Sequence, residues 1–469
     1  MKSLFSLSIL LLATLVSAIS SAGDRLLAVF DDVAEKSNYS KFLADLEERG
    51  FKISYETPKS DTLSLFELGE RAYDHIIFFP SKIKGLGPNL TPSALLNFIN
   101  SKGNILLTLS SDAALPTSLV SLLSELDIQL PAERTGLVVD HFHYDAVSAA
   151  DKHDVLLLPP PGQLRPDLRD FFGPKTEKER KQLLAFPHGV GAVLGQGPLL
   201  TPIIRAPHSA YIYNPKEQGE TVDDVFAAGA QLSLVSVMQA RNGARFALVG
   251  AAEMLQDRWF EAKVRAQDEK QQQAETYNHE FAKRLTAWTF QEVGVLRVNW
   301  VEHRLDEAGV LTNETNPKTY RIKNDVTYAI SLSEWSYDKW IPFEVPTNDV
   351  LQLEFSMLSP FHRLALTRDA ARSTADSAVY AVSFRLPDQH GIFNFMVNYK
   401  RPFLTHVEEK RTVSVRHMAH NEWPRSYVIS GAWPWIAGIG ATVTAWLAFV
   451  VVWLFSKPLP GRNTVKKTQ

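Results

Sequence analysis

Along residues 26–109, continuously apolar runs alternate with amphipathic ones. Residues 26–30 (LLAVF) carry no polar position, the pattern of a strand buried on both faces. Residues 37–49 (SNYSKFLADLEER) follow helical spacing through Phe42, Leu43 and Leu46 and stop at Gly50, a residue suited to the position just past a helix. Residues 51–55, 74–79 (DHIIFF) and 104–109 (NILLTL) predict three more strands. Thr91-Pro92 predicts the capped start of a helix over 92–102, which Gly103 ends. Strands and helices alternating at this spacing predict a parallel, doubly wound (Rossmann-like) α/β sheet. Farther on, residues 160–190 are rich in Pro, Lys and Arg and read as loop, 227–240 as helix and 245–250 (RFALVG) as a buried strand. Residues 261–292 read as a helix that starts solvated and ends on an apolar stripe of Phe281, Leu285 and Trp288.

From about Gly294 the period changes to two. LRVNWVEHRL, YRIKNDVTYAISLSEW, VLQLEFSML, AVYAVSFRL, IFNFMVNYKR and RTVSVRHM are strand-like, with turns between them. A run of strands after a run of α/β units predicts a separate all-β, sandwich-like domain. Trp335, Trp340, Phe343 and Phe355 are expected in its core.

The two ends have patterns of their own. Residues 1–22 (MKSLFSLSILLLATLVSAISSA) combine a basic start, a short apolar run and small residues at Ser20 and Ala22. This predicts a secretory signal peptide cleaved after Ala22. Residues 433–455 (WPWIAGIGATVTAWLAFVVVWLF) are apolar all round. As a helix they reach about 34 Å, enough to cross a hydrocarbon core of about 30 Å. The tail at 456–469 holds Lys457, Arg462, Lys466 and Lys467 and no acid, which predicts a cytoplasmic tail. A type I membrane protein is thus expected. It comprises a signal peptide at 1–22, an α/β domain at 23–293, a β-sandwich domain at 294–427, a span at 433–455 and a tail at 456–469. The lysines of the closing KKTQ, Lys466 and Lys467, resemble a dilysine signal for retrieval to the endoplasmic reticulum. Three N-x-S/T sequons are candidate glycosylation sites, at Asn38, Asn89 and Asn313.

Composition then removes whole classes of chemistry. The 469 residues include no cysteine. That excludes disulfides, thiolate metal sites, iron–sulfur clusters and thiol nucleophiles. The net charge is −3, and nothing in it points to nucleic acid. Setting aside Lys2 and the four tail cations lowers the 49 basic residues to 44 against 52 acidic ones, leaving a lumenal part at about −8.

Candidate chemistry is sparse. No G-x-S-x-G, H-E-x-x-H or Walker A motif occurs. The first βα turn, where a dinucleotide fold carries glycines, reads FDDVAEK. Asp31 and Asp32 there would repel a pyrophosphate. They are a possible carboxylate pair for acid–base work, or ordinary helix capping. HGVGAVLGQG at 188–197 misses the nucleotide fingerprint by one residue and reads as a turn around a buried strand. In DHFHYD (140–145), His141 and His143 would share one side of a strand, as a metal pair does, with Asp140 and Asp145 behind them. The favoured reading is a polar strand end whose histidines hydrogen-bond locally. No catalytic, cofactor-binding or metal site is expected.

Several stretches carry a resemblance. They include RLLAVFDD, DHIIFFPSKIKGLG, DHFHYD, LVSVMQARNGARFALVG, WSYDKWIPFEVPTNDVLQLEFSMLSPFHR, FRLPDQHGIFNFMVNYKRPFLTHVEEKRTVSVRH and WPRSYVISGAWPW. In order, over nearly the whole mature chain, they resemble the 48 kDa subunit family of the oligosaccharyltransferase complex (DDOST in animals, the WBP-type subunit in fungi). The resemblance implies a noncatalytic assembly subunit in the endoplasmic reticulum membrane. The complex transfers a preassembled glycan from dolichyl diphosphate to Asn in N-x-S/T sequons of nascent chains. The implied partners are the catalytic subunit, the ribophorin-two-type subunit and the small DAD-type subunit, with the Sec translocon reached through the complex. The rival expectations are a lumenal α/β hydrolase or transferase, and a type I lumenal receptor or chaperone.

Overall fold

The structure is a computed structural model that describes residues 20–60, 63–214, 226–267, 273–307, 314–422 and 432–457. Residues 1–19 of the expected signal peptide, Asn313 and the lysines Lys466 and Lys467 lie outside the described residues.

A nine-stranded sheet organises the first part of the chain. Its strands are β1 (Arg25–Val29), β2 (Lys52–Glu56), β3 (His75–Phe78), β4 (Asn104–Thr108), β5 (Ile128–Gln129), β6 (Ala192–Leu194), β7 (Leu200–Arg205), β8 (Leu232–Gln239) and β9 (Arg245–Val249). The order is β2-β1-β3-β4-β9-β8-β6-β5, with β7 also paired to β8. Helices α1 (Ser40–Glu48) and α4 (Asn278–Thr289) cover one face, and α2 (Pro92–Asn100) and α3 (Thr117–Glu125) the other. Alternate residues of β1 explain its unbroken apolar run. Leu26 and Ala28 join Phe42, Leu46, Phe281 and Leu285 in one core, while Leu27 and Val29 join Leu95, Phe98, Leu119 and Leu122 in the other. Thr91 caps α2 by accepting from Ala94 N, with Pro92 in its first turn, as the sequence predicts.

The sheet is mixed, which corrects the expectation of an all-parallel one. Strands β2, β1, β3, β4 and β9 run parallel. Strands β8, β6 and β5, and β7 beside β8, join antiparallel. The switch occurs at a hairpin, since β8 leads straight into β9. Residues 227–240, expected as helix, are mostly β8, preceded by a short 3₁₀ turn at Gly229–Gln231. All eight residues of β8 are buried, and a strand buried on both faces lacks the alternation that tells it from a buried helix. The expected helix over 261–292 shrinks to α4. Before it, Lys263–Val264 pairs with Ala274–Glu275 as a short antiparallel ladder. The supposed loop at 160–190 contains Leu184–Pro187, paired with Val155–Leu158, and the short helix Glu177–Arg180.

The second part is two antiparallel sheets of five strands each. One holds β10 (Val293–Leu305), β12 (Asp325–Ser336), β17 (Ala378–Arg385), β16 (Thr367–Asp369) and β13 (Lys339–Pro342). The other runs β11 (Thr319–Arg321), β19 (Val407–Arg416), β18 (Gly391–Tyr399), β14 (Gln352–Ser356), β15 (Pro360–Ala365). Their inner faces meet through rings. Phe395 of β18 lies 4.9 Å from His303 and 5.5 Å from Tyr328 of the opposite sheet. The run YRIKNDVTYAISLSEW, read as one strand, is two strands in different sheets. It breaks at Lys323, in left-handed backbone (φ 60), and Asn324 Oδ1 accepts from Arg321 N at 2.6 Å to turn the chain. Of the four aromatics expected in the core, Phe343 and Phe355 are fully buried, while Trp335 and Trp340 form a pair at the edge (5.2 Å).

Residues through Val415 form one compact unit, and those from Arg416 a second. The second contains α5 (Trp433–Phe455), the one described helix long and apolar enough to cross a membrane.

Candidate functional sites: the strand ends, the seam and the apolar helix

In open α/β sheets a ligand sits beyond the strand ends where neighbouring connections diverge. Here that place is between β1 and β3, and side chains fill it. Phe30 and Phe79 stack with centroids 4.1 Å apart and planes 10° apart. Tyr39 closes over Phe79 at 4.6 Å. The two aspartates that follow β1 both have local partners. Asp31 accepts from Ser81 Oγ and from Lys82 N, each at 2.8 Å, and so ties the ends of β1 and β3 together. Asp32 caps the 3₁₀ turn Val33–Tyr39 by accepting from Ala34 N at 2.9 Å. Both positions therefore do capping and tying work, the ordinary role of a DD turn.

The segment 140–145 leaves the strand Leu137–Val139 and bends, so His141 and His143 do not share a strand face. Each histidine has its own partners. His143 Nδ1 is 2.9 Å from Asp140 Oδ2. His141 contacts the ring of His153 (Nδ1 to Nδ1, 2.6 Å) and the Tyr211 hydroxyl (3.0 Å). Asp140 is buried and also accepts from Phe142 N and Ser209 Oγ. Asp145 accepts from Ser148 Oγ and Arg265 N. No group of three or more His, Asp or Glu arranged to hold a metal ion occurs among the described residues. The glycines of HGVGAVLGQG border β6 at close quarters: a Cβ on Gly195 would fall 1.8 Å from Asp127 Oδ2.

The seam between the mixed sheet and the sandwich holds a buried network of charged and polar groups. Arg245 opens β9 and is fully buried. Its Nη1 donates to Trp288 O (2.5 Å) and Val293 O (2.7 Å), and its Nη2 to Gly294 O (2.8 Å). The guanidinium also lies over the Trp288 ring at 4.7 Å. Burial lowers its pKa to about 9. Trp288 Nε1 donates across the seam to Phe403 O at 2.9 Å, and Gln239 Nε2 to Leu404 O at 2.7 Å. Two carboxylates frame this seam. Burial raises the pKa of Glu292, opposed by Arg49 at 2.7 Å. Burial likewise raises that of Glu334, opposed by its ion pair with Arg169 and by Arg245. Sequence reasoning missed this network. Its one sign was an arginine heading the apolar run RFALVG.

The apolar helix α5 exposes its whole surface within its own unit. Open space surrounds the Cα positions of Gly438 and Gly440, and Thr442 and Thr444 return their hydroxyls to Gly438 O and Gly440 O. Small residues on such a face let another helix approach closely.

Comparison with known proteins gives the family. Residues 17–292 match the OST48 N-terminal domain and residues 309–457 the OST48 middle domain. The chain belongs to the OST48 family. Its relatives include the dolichyl-diphosphooligosaccharide–protein glycosyltransferase subunit wbp1 of Schizosaccharomyces pombe, 34% identical over 98% of this chain and 97% of that one. The 48 kDa subunits of that enzyme from Caenorhabditis elegans and Danio rerio are each 31% identical, over 97% and 96% of this chain and 96% and 95% of theirs. Likeness to solved structures is slight. A carbohydrate deacetylase, Agd3, reaches a TM-score of 0.28 at 7% identity, covering 48% of this chain and 29% of that one, and nothing transfers from it. In this OST48 chain the two matches cover the mixed sheet, most of the sandwich and α5, while β10 and the seam residues Val293 and Gly294 lie between them.

Proposed function

We propose that this chain is a noncatalytic assembly subunit of the oligosaccharyltransferase complex, the glycosyltransferase that moves a preassembled glycan from dolichyl diphosphate to Asn in N-x-S/T sequons. Near-full-length similarity to named subunits of that enzyme supports the place in the complex. The observation that carries the noncatalytic reading is the filled crevice at the strand ends. The Phe30–Phe79 stack occupies it, and Asp31 is held by Ser81 and Lys82. The parallel half of the sheet is a Rossmann-like frame used for shape. The chain lies in the endoplasmic reticulum membrane as a single-pass type I protein. Its α/β and β-sandwich domains are lumenal, α5 crosses the membrane, and a short cytoplasmic tail bears the retrieval lysines Lys466 and Lys467. Its partners are the catalytic subunit, the ribophorin-two-type subunit and the small DAD-type subunit, with the Sec translocon beyond them. Asn38, exposed in its 3₁₀ turn, and Asn89 and Asn313 are its glycan acceptors.

Affinity purification from native membranes in mild detergent tests the assembly role. The catalytic subunit should be recovered in stoichiometric amount, and solitary recovery overturns the reading. Replacing Asp31 and Asp32 together by Asn separates scaffold from enzyme. Glycosylation should fall only as far as complex recovery falls, and loss of activity in a fully assembled complex favours the lumenal enzyme.

A further inference from the structure

A pocket of about 250 Å³ opens at the seam, between the β8–β9 hairpin, the loop entering β7 and the turn between β18 and β19. Its walls mix apolar Leu199, Pro402 and Phe403 with polar Thr201 and His406, and its cations are Arg241, Lys400 and Arg401. The three segments are pinned from several sides. Asn242 Nδ2 donates to Ile99 O and Asn100 O and holds the hairpin that bears Arg241. Phe403 O receives Trp288 Nε1, and Thr405 N donates to Gly294 O at 3.1 Å. The pocket is thus built by the packing of the two sheet systems, and its shape is set before anything binds.

Its charge is unbalanced. Asp349 is engaged by Arg401 through two hydrogen bonds and by Tyr399 OH at 2.7 Å. Glu408 pairs with Lys400 at 2.7 Å. Arg241 has no carboxylate partner among the described residues. Its charge is felt by both His406 and Glu408. The pocket is therefore net positive on a lumenal part whose sequence sums to about −8. Beneath it, Gln239 is buried with its Oε1 unpaired. Sulfate, which offers only acceptors, meets that oxygen as a repulsion, and hydrogen phosphate brings it an O–H donor but no apolar atoms for the walls. A peptide brings N–H donors alongside a carboxylate and suits both the floor and the rim.

We propose that this pocket receives an acidic segment of a neighbouring subunit of the complex. An Asp or Glu side chain would lie between Arg241 and Lys400, and the segment's apolar atoms against Leu199 and Pro402. The inference rests on the subunit reading, and the test distinguishes the failure of each. The complex is purified from membranes carrying Glu408→Gln, which frees the Lys400 amine, combined with Arg241→Lys, and is treated with a zero-length carbodiimide. The expected product is an amide joining position 241 or Lys400 to an Asp or Glu of another subunit. In parallel, Arg241→Glu, at an exposed turn, should lower partner recovery at 0.3 M NaCl at least threefold while the thermal midpoint of the chain holds. A recovered complex with no inter-subunit amide at these positions overturns the pocket proposal alone. Protection of these two lysines by 10 mM inorganic phosphate from acetylation with an N-hydroxysuccinimide ester, in a separate sample and again without an inter-subunit amide, overturns it in favour of a small-oxyanion site. Recovery of the chain by itself overturns the subunit reading instead.

A second inference stands on a different observation. Ser20 is 4% exposed. Its Oγ donates to Phe290 O at 2.6 Å and lies 3.3 Å from His75 Nε2, and Ser21 N donates to Gln291 O. Cleavage after Ala22 would remove these contacts. Val16 and Ala18 also present small residues at the spacing signal peptidase reads. We infer that cleavage follows Ala18 and that Ser20 remains in the mature fold. Sequencing the mature N-terminus should give Ile19 first, and a start at Gly23 overturns this.

Discussion

At the residue scale, buried polar groups tie the fold together around His75. Asn104 Nδ2 donates to His75 Nδ1 at 3.1 Å, so Nε2 carries the proton and donates to Gly23 O at 3.1 Å. Asn104 Oδ1 in turn accepts from Arg245 N and Gln291 Nε2. The imidazole is neutral, and burial pushes its pKa down to about 4. His303, paired with Tyr320 OH at 2.8 Å, is likewise lowered to about 4. In the unfolded chain both titrate near 6.5. The folded pKa is depressed, so between about pH 6.5 and 4 the unfolded state binds the extra proton. Stability is then present above pH 6.5 and falls with acidification, by about 3 kcal/mol for His75 at most. Chemical denaturation of the purified chain at pH 7, 5.5 and 4.5 should show this loss, and His75→Gln should flatten the slope. Arg245→Ala removes a charged donor from three seam carbonyls; Trp288 O keeps Gln291 N and Gly294 O keeps Thr405 N, so the loss is about 1–3 kcal/mol for each charged hydrogen bond that is not replaced. A thermal midpoint lowered by less than a few degrees would contradict that accounting of the seam.

At the element scale, α4 packs against both sheet systems. It presents Phe281 and Leu285 to the mixed sheet, and Trp288 to Phe172 (5.9 Å) and Phe403 (6.0 Å). Trp288→Ala removes a fully buried ring and the hydrogen bond to Phe403 O, and should cost about 3–5 kcal/mol. Limited proteolysis should then cut near the 293–294 junction sooner than in the parent. Helix α2 carries a different trade. Thr91 is both its N-cap and the third residue of the Asn89 sequon. Thr91→Ala should lose about 1 kcal/mol together with any glycan at Asn89, whereas Asn89→Gln should lose only the glycan. Mobility on a denaturing gel, with and without glycosidase, separates the two. α4 was legible in sequence because its apolar stripe has helical spacing. β8 was not, because eight buried positions have no period to read.

At the scale of the molecule, α5 offers every side to its surroundings, and glycines open one of them. Gly438→Leu with Gly440→Leu and Ala441→Leu should weaken recovery of the other subunits while leaving membrane insertion intact, since the hydropathy of the span rises. Blue-native electrophoresis reads the outcome, and an unchanged complex would show that this face is not used.

Much was already determined by the order of residues. The span, the early strands with their helices, the shift to period-two strands near Gly294 and the absence of thiol chemistry all follow from local pattern or composition, which need no partner to be read. The family resemblance also rests on the linear order of motifs. Tertiary structure decided what depends on residues distant in sequence. It mixed the sheet by folding 227–240 back as a strand beside β9. It split one apparent strand at Lys323 between two sheets. It stacked Phe30 on Phe79 where a ligand would otherwise sit, and it turned Asp31 into a tie to Ser81. It gathered Arg245, Trp288, Gly294 and Phe403 at one seam. Each of these joins segments separated by tens to hundreds of residues, and hydrophobic periodicity reports only which face of an element is buried, never what is buried against it.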